Sequence, residues 1–163
     1  MLDIYLRAGL PDDAAFIVEL LNQATFLEHI GNKNINTPAQ AEHYIQQTFI
    51  NSHQQFGFGS YIVCLADDTP VGMVGLFQRD ALAIPDLGFA LLAKYEGKGI
   101  ITSAARLLMA KKHVLELGVL AAITSPTNIG SQKVLQKLGF EFIGDVIIND
   151  DNQPLKLFLK SKL

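Results

Sequence analysis

Asp86-Leu87-Gly88-Phe89-Ala90-Leu91-Leu92-Ala93-Lys94-Tyr95-Glu96-Gly97-Lys98-Gly99-Ile100-Ile101-Thr102 is the stretch on which the reading of this chain turns. It runs from a strand through a glycine-bearing turn into a long helix. From Lys98 to Leu117 the residues Ile101, Ala105, Leu108 and Leu115 recur at helical spacing, and Gly118 supplies a stop. The first turn of a helix leaves backbone N–H groups without partners and carries partial positive charge, and glycine lets the main chain approach a bulky anion. The geometry suits a phosphate, with Gly97 and Gly99 serving the approach. A lone Gly-x-Gly before a helix is equally compatible with a structural turn. A dinucleotide fingerprint requires a third glycine where Thr102 stands, and a Walker loop requires Gly-Lys-Ser/Thr after a four-residue gap; neither is present.

Working outward, residues 2–7 read as a first strand, and Pro11-Asp12-Asp13 opens a helix with Phe16, Ile17, Leu20, Leu21 and Ala24 on one side. The polar stretch Gly31 to Asn36 breaks it. Thr37 as N-cap and Pro38 at the first helical position then start a second helix through about Phe49, read as short and surface-lying. Strand-like segments at 59–66, 71–79 and 86–92 are separated by turns at Asp67-Asp68-Thr69-Pro70 and Ala83-Ile84-Pro85, which makes an antiparallel meander. Val119 to Thr124 is a buried-type strand, and Pro126-Thr127-Asn128 leads into a helix ending at Leu138 before Gly139. Phe140–Ile148 and Leu155–Leu159 close the chain as a hairpin. The expectation is one α/β domain over 1–163 with a mixed, mostly antiparallel twisted sheet of about seven strands flanked by about four helices.

The formal net charge is −3 and the lysines and arginines are scattered, which argues against nucleic acid as a partner. No apolar run approaches the ~20 residues that cross a bilayer, and the N-terminus lacks the order of a signal peptide. The expectation is a cytoplasmic chain without a membrane partner. Cys64, the single cysteine, sits in the run Tyr61-Ile62-Val63-Cys64-Leu65 and reads as a buried strand residue.

The chain resembles the GNAT acetyltransferases from about Leu6 to Phe158, nearest to the group that includes the ribosomal-protein N-terminal acetyltransferases. The turn Gln/Arg-x-x-Gly-x-Gly/Ala of that family aligns with Glu96-Gly97-Lys98-Gly99-Ile100-Ile101. The later Asn-x-x-Ser/Ala helix ending in Leu-Gly-Phe is matched by Asn128-Ile129-Gly130-Ser131 and Lys137-Leu138-Gly139-Phe140. Glu96 and Ile101 depart from the usual residues, and Leu135 stands where many members carry a tyrosine that protonates the departing CoA.

The resemblance implies an acetyl-CoA-dependent N-acetyltransferase acting on a small-molecule amine or a protein N-terminus, without a metal, as a monomer or homodimer. It implies that Phe89, Ala90, Leu91 and Leu92 bind the pantetheine arm like an added strand. Glu96, Gly97, Lys98, Gly99, Ile100, Ile101 and Thr102 would then surround the pyrophosphate, and Asn128 and Ser131 complete the cofactor set. Asp86 is the candidate base, against the plainer reading of a solvated strand cap. Ser131 is a second catalytic candidate, against a role in capping or pantetheine binding. His29 and Glu28 are further base candidates expected at the surface, and His43, His53 and His113 are expected to be solvated. Phe26, Phe56, Phe58 and Phe77 line a pocket or fill the core, and segments 29–36 and 50–58 are where the acceptor is expected. Leu135 and Glu96 also admit a catalytically silent CoA-binding or regulatory module.

Overall fold

Residues 2–163 are described by a computed structural model. Seven strands form one sheet in the order β1-β2-β3-β4-β5-β7-β6. They are β1 (Ile4–Arg7), β2 (Ser60–Leu65), β3 (Pro70–Phe77), β4 (Asp86–Leu91), β5 (Leu120–Thr124), β6 (Glu141–Val146) and β7 (Leu155–Lys160). Neighbours are antiparallel except β4 and β5, which are parallel and share a single register pair, Asp86 with Ala121. Past that pair the two strands separate, and the sheet opens at its centre.

Alternation along the strands divides the core into two layers. Val63, Val74, Leu87 and Leu120 pack on one face against α5 (Ile100–Met109) and α7 (Ile129–Lys137). Ile62, Cys64 and Met73 pack on the other against α1 (Ala14–Leu21), α2 (Ala24–His29) and α3 (Pro38–Ile45). Cys64 is fully buried, as its apolar run predicts.

More helical segments flank the sheet than the four expected, because two predicted helices break. The first ends at Asn22, whose Nδ2 donates to both Val18 O and Ile35 O at 2.7 Å, and α2 restarts at Ala24. The long helix stops at Met109; Lys111 is extended, and α6 (Lys112–Leu115) follows with Leu115 exposed. The Thr37 cap accepts the Gln40 N–H at 3.3 Å with Pro38 at the first position. That helix is not surface-lying, since Ala41, Ile45 and Phe49 are buried, and it continues through a π-helical stretch (Gln46–Asn51) into α4 (Ser52–Phe56). The expected 50–58 loop is therefore helical through Phe56. No helix among the described residues is long and apolar enough to cross a membrane.

Candidate active site

The opening between β4 and β5 has a polar edge. Ala121 N–H donates to Pro85 O at 2.9 Å, and Leu92 N–H donates to Val71 O at 2.8 Å on the opposite side of the strand. Peptide groups alternate along a strand, so those of Gly88 and Ala90 face β3 while those of Phe89 and Leu91 face the cleft. Gln23 covers the end of that edge. Its Nε2 donates to Leu91 O at 3.1 Å and its Oε1 accepts Ala93 N–H at 2.8 Å. The N–H and C=O of Phe89 and the N–H of Leu91 are left facing a gap where a further strand would lie.

Beyond β4 the chain turns through Gly97 and Gly99, both left-handed at φ 74° and 75°. A Cβ at either would meet nothing within 4 Å, so conformation and not space demands glycine there. Gly99 caps α5, and Ser103 is the first residue of that helix whose N–H reaches a helix carbonyl, Gly99 O at 3.1 Å. The N–H groups of Ile100, Ile101 and Thr102 are left without helical acceptors at the positive end of the helix. Across the cleft, Asn128 Oδ1 accepts Ser131 N–H at 3.1 Å and starts α7. A cavity of about 510 Å³ runs from this turn along Phe89–Leu91 to Asn128 and Ser131.

A second cavity of about 310 Å³ adjoins it, and Phe26, His29, Phe89 and Ser131 line both. Asp86 lies in its wall, 1% exposed, with Oδ1 accepting from Arg79 Nε at 2.8 Å. Burial raises the Asp86 carboxyl above the usual carboxylate range, and the charge and hydrogen bond of Arg79 oppose part of that rise. Tyr44 is pushed up to about 12 by burial, so it is a neutral phenol at physiological pH. Thr124 Oγ1 is buried in this wall with no hydrogen-bond partner among the described residues. His29 is not at the surface: its side chain is 16% exposed and Nδ1 lies 2.9 Å from Ser125 Oγ.

Most of the residues anticipated from the sequence converge on these two cavities. Phe89, Ala90, Leu91, Glu96, Gly97, Gly99, Ile100, Ile101, Thr102, Asn128 and Ser131 all line the first. Leu92 and Lys98 do not. Leu92 is buried with its N–H committed to Val71, and Lys98 lies over the Tyr95 ring, 5.5 Å from its centroid. Ala90 lines the cavity by its side chain, because its peptide groups face β3. Asp86 is no solvated cap, being fully buried. Phe26 and Phe77 reach the second cavity, while Phe58 is core and Phe56 stacks on it. Segment 29–36 contributes His29, Ile30 and Lys33 to that cavity, but nothing from 50–58 reaches it. His43 is exposed as expected, but His53 packs on Tyr61 and the Nε2 of His113 is buried. Sequence reasoning missed Gln23, Arg79 and Thr124. Arg79 had a signal, since it lies just past the end of β3 where the register pairs Phe77 with Asp86.

A family model described as an acetyltransferase (GNAT) domain matches residues 3–141. The chain is 38% identical over 121 residues to the probable N-acetyltransferase YjcK of Bacillus subtilis (strain 168); the matched stretch is 68% of this chain and 66% of that relative. RimL, a ribosomal α-N-protein acetyltransferase solved with coenzyme A, superposes with a TM-score of 0.81 at 17% identity, covering 98% of this chain and 94% of that one. A ribosomal-protein alanine acetyltransferase from Vibrio fischeri gives 0.74 at 21% identity, covering 98% and 93%. An aminoglycoside acetyltransferase in complex with coenzyme A gives 0.74 at 20% identity, covering 98% and 95%. At these identities the structural likeness is one of fold. With the family match spanning most of its length and the cleft-and-turn arrangement at its centre, the chain belongs to the GNAT acetyltransferase family.

Proposed function

We propose that this protein is an N-acetyltransferase that moves the acetyl group of acetyl-CoA to a primary amine, on a small molecule or a protein N-terminus, with both bound together. The observation that carries the reading is the unpaired edge of β4, which leads from a helix N-terminus suited to a diphosphate into a cavity walled by a buried carboxylate. The residues present fit acetyl-CoA on three independent counts. Gly97 and Gly99 let the backbone approach a diphosphate, and the first N–H groups of α5 are free to donate to it. The peptide groups of Phe89 and Leu91 match the hydrogen-bonding needs of an extended amide-bearing arm. Ser131 follows the Asn128 cap where the two cavities meet.

Bound there, acetyl-CoA supplies an activated acyl group. The chain itself positions, polarises and accepts a proton. A Phe89 or Leu91 N–H donates toward the acyl oxygen, where negative charge builds during transfer. Asp86 takes the proton of the incoming amine, directly or through water; its burial makes it a stronger base than an exposed carboxylate. An α-amine, with a pKa of about 8, needs less such help than a lysine at about 10.4. Leu135 offers no acid, and Ser131, one turn earlier on α7, is the hydroxyl nearest that position along the helix.

The test is release of CoA thiol from acetyl-CoA by the purified protein across a panel of primary amines. Amine-dependent release with stoichiometric acetylation supports the reading. Tight acetyl-CoA binding without release by any amine would replace it with a silent CoA-binding module.

A further inference from the structure

The second cavity has an uneven charge balance. Asp86 is the single carboxylate among the residues that line it, and its Oδ1 is held by Arg79 Nε at 2.8 Å. That pair is close to neutral. Lys33 remains on the same wall with no ion-pair partner among the described residues. Lys33 as a whole is exposed, yet partial desolvation and then the charge of Arg79 lower its pKa, and both cations line the same cavity. The remaining titratable groups do not offset them. Tyr44 stays a neutral phenol, His29 is engaged with Ser125, and the Glu28 carboxylate is exposed.

Arg79 is poised to receive an anion. Its Nε is fixed by Asp86 and its guanidinium lies over the Phe77 ring, 5.7 Å from the centroid, while its two terminal nitrogens make no hydrogen bond among the described residues. A planar fork with its outer N–H groups free is the geometry that binds a carboxylate through two bonds. In the same wall, Thr124, 7% exposed, holds a hydroxyl with no partner among the described residues, a group that a ligand or a water can complete. A volume of about 310 Å³ is at the low end of small-molecule sites.

We infer, on the strength of the acetyltransferase reading above, that the acceptor is a small primary amine bearing a carboxylate, as in an amino acid, with Arg79 and Lys33 on the carboxylate and Asp86 on the amine. A polycationic acceptor such as a polyamine or an aminoglycoside meets the unpaired charge of Lys33 here and no carboxylate beyond Asp86, which Arg79 already offsets. The carboxylate has two chemical sources: the α-carboxylate of a free amino acid, or the side chain of an acidic residue at a peptide N-terminus.

The experiment uses the full chain, acetyl-CoA, the free L-amino acids each beside its C-terminal amide, the dipeptides Asp-Ala and Asn-Ala, spermidine and an aminoglycoside. CoA release and calorimetric binding are both read. The expected result is a preference of roughly ten- to a hundredfold for the carboxylate-bearing member of at least one pair, abolished in Arg79→Met and in Lys33→Met. Arg79→Met also strips Asp86 of its partner; Lys33→Met carries the same test without touching that pair. Preference within the free amino acids assigns the α-carboxylate, and preference for Asp-Ala over Asn-Ala assigns a peptide. Preferred turnover of spermidine or the aminoglycoside overturns the inference and leaves the acetyltransferase reading intact. If acetyl-CoA does not bind, that reading fails, and the titration of amino acids against amides then decides the inference alone: equal or absent binding of both overturns it.

Discussion

Replacing Asp86 with asparagine removes a proton acceptor from the second cavity while keeping its shape. The amide oxygen of the variant still accepts from Arg79 Nε, which lies 2.8 Å away, and the Arg79 side chain is 38% exposed, so its freed charge stays solvated. Loss of the ion pair and relief of a buried carboxylate oppose each other, and the net change in stability is about 1 kcal/mol or less, a Tm shift of about 2–4 °C. The kinetic effect is far larger. A positioned base contributes roughly 10²–10⁴ in rate, or about 3–5 kcal/mol of barrier. The assay is initial-rate CoA release at saturating acetyl-CoA with an α-amine acceptor, over about pH 5 to 9. The base works deprotonated, and burial raises its pKa, so wild-type activity falls as pH drops through a point above the ordinary carboxylate range. A separate rise near about pH 8 belongs to an α-amine itself. The variant loses the lower limb and the rate together. A folded Asp86→Asn protein within about threefold of wild type across that range would refute the reasoning, because a base catalyst cannot be removed at so small a cost.

Gly99→Leu forces a side chain into φ 75°, at about 1–2 kcal/mol, but its Cβ meets nothing in the chain. The variant is expected to fold and to bind acetyl-CoA at least about tenfold more weakly by calorimetry; unchanged affinity removes the turn from the site. Gln23→Ala frees Leu91 O and Ala93 N–H and lowers stability by about 1–2 kcal/mol, with faster amide exchange at Ala93; an unaltered exchange rate there means the clamp is dispensable. Asp13→Asn removes a carboxylate that accepts from Arg7 at 2.7 and 2.8 Å and from Leu10 N–H at 2.8 Å, and costs about 2–3 kcal/mol, somewhat below the cost of breaking a fully buried pair because Arg7 is partly exposed. Burial alone would raise that carboxyl, but the Arg7 and Leu10 contacts hold it below its unfolded value. The stabilisation is therefore present above an unfolded pKa of about 3.9 and disappears as pH falls through the folded one. Thermal melts of wild type and variant should converge in acid, and a constant gap down to low pH would contradict the assignment.

The strands and the central turn were legible because their signals are local. Thr37 with Pro38 fixes a helix start, Asp67 to Pro70 a hairpin, and Gly97 and Gly99 a left-handed turn, whatever the rest of the chain does. Helix ends set by tertiary contacts were not legible. Asn22 stops its helix by donating to Ile35 O, thirteen positions away, and Phe49 is buried in the layer that also holds α1 and not left at the surface. The same limit applies to the site. The residues of the turn and of α7 follow each other in sequence, but the second cavity gathers Lys33, Arg79, Asp86 and Thr124 from four separate segments. Only the folded sheet, with its single β4–β5 register pair, places an unpartnered hydroxyl and a half-buried ion pair beside the open strand edge.

The central claim is that the turn and the β4 edge hold acetyl-CoA, and thermal melts with acetyl-CoA, CoA and ATP at matched concentration test it most directly. Ligand at about 100 times its Kd adds about 2.7 kcal/mol to the folded state, a rise of roughly 5–10 °C for a chain of this size. The account predicts that rise with acetyl-CoA and CoA and little with ATP, which has the phosphates but not the arm for Phe89 and Leu91. No shift with either CoA species, or an equal shift with all three, would contradict it.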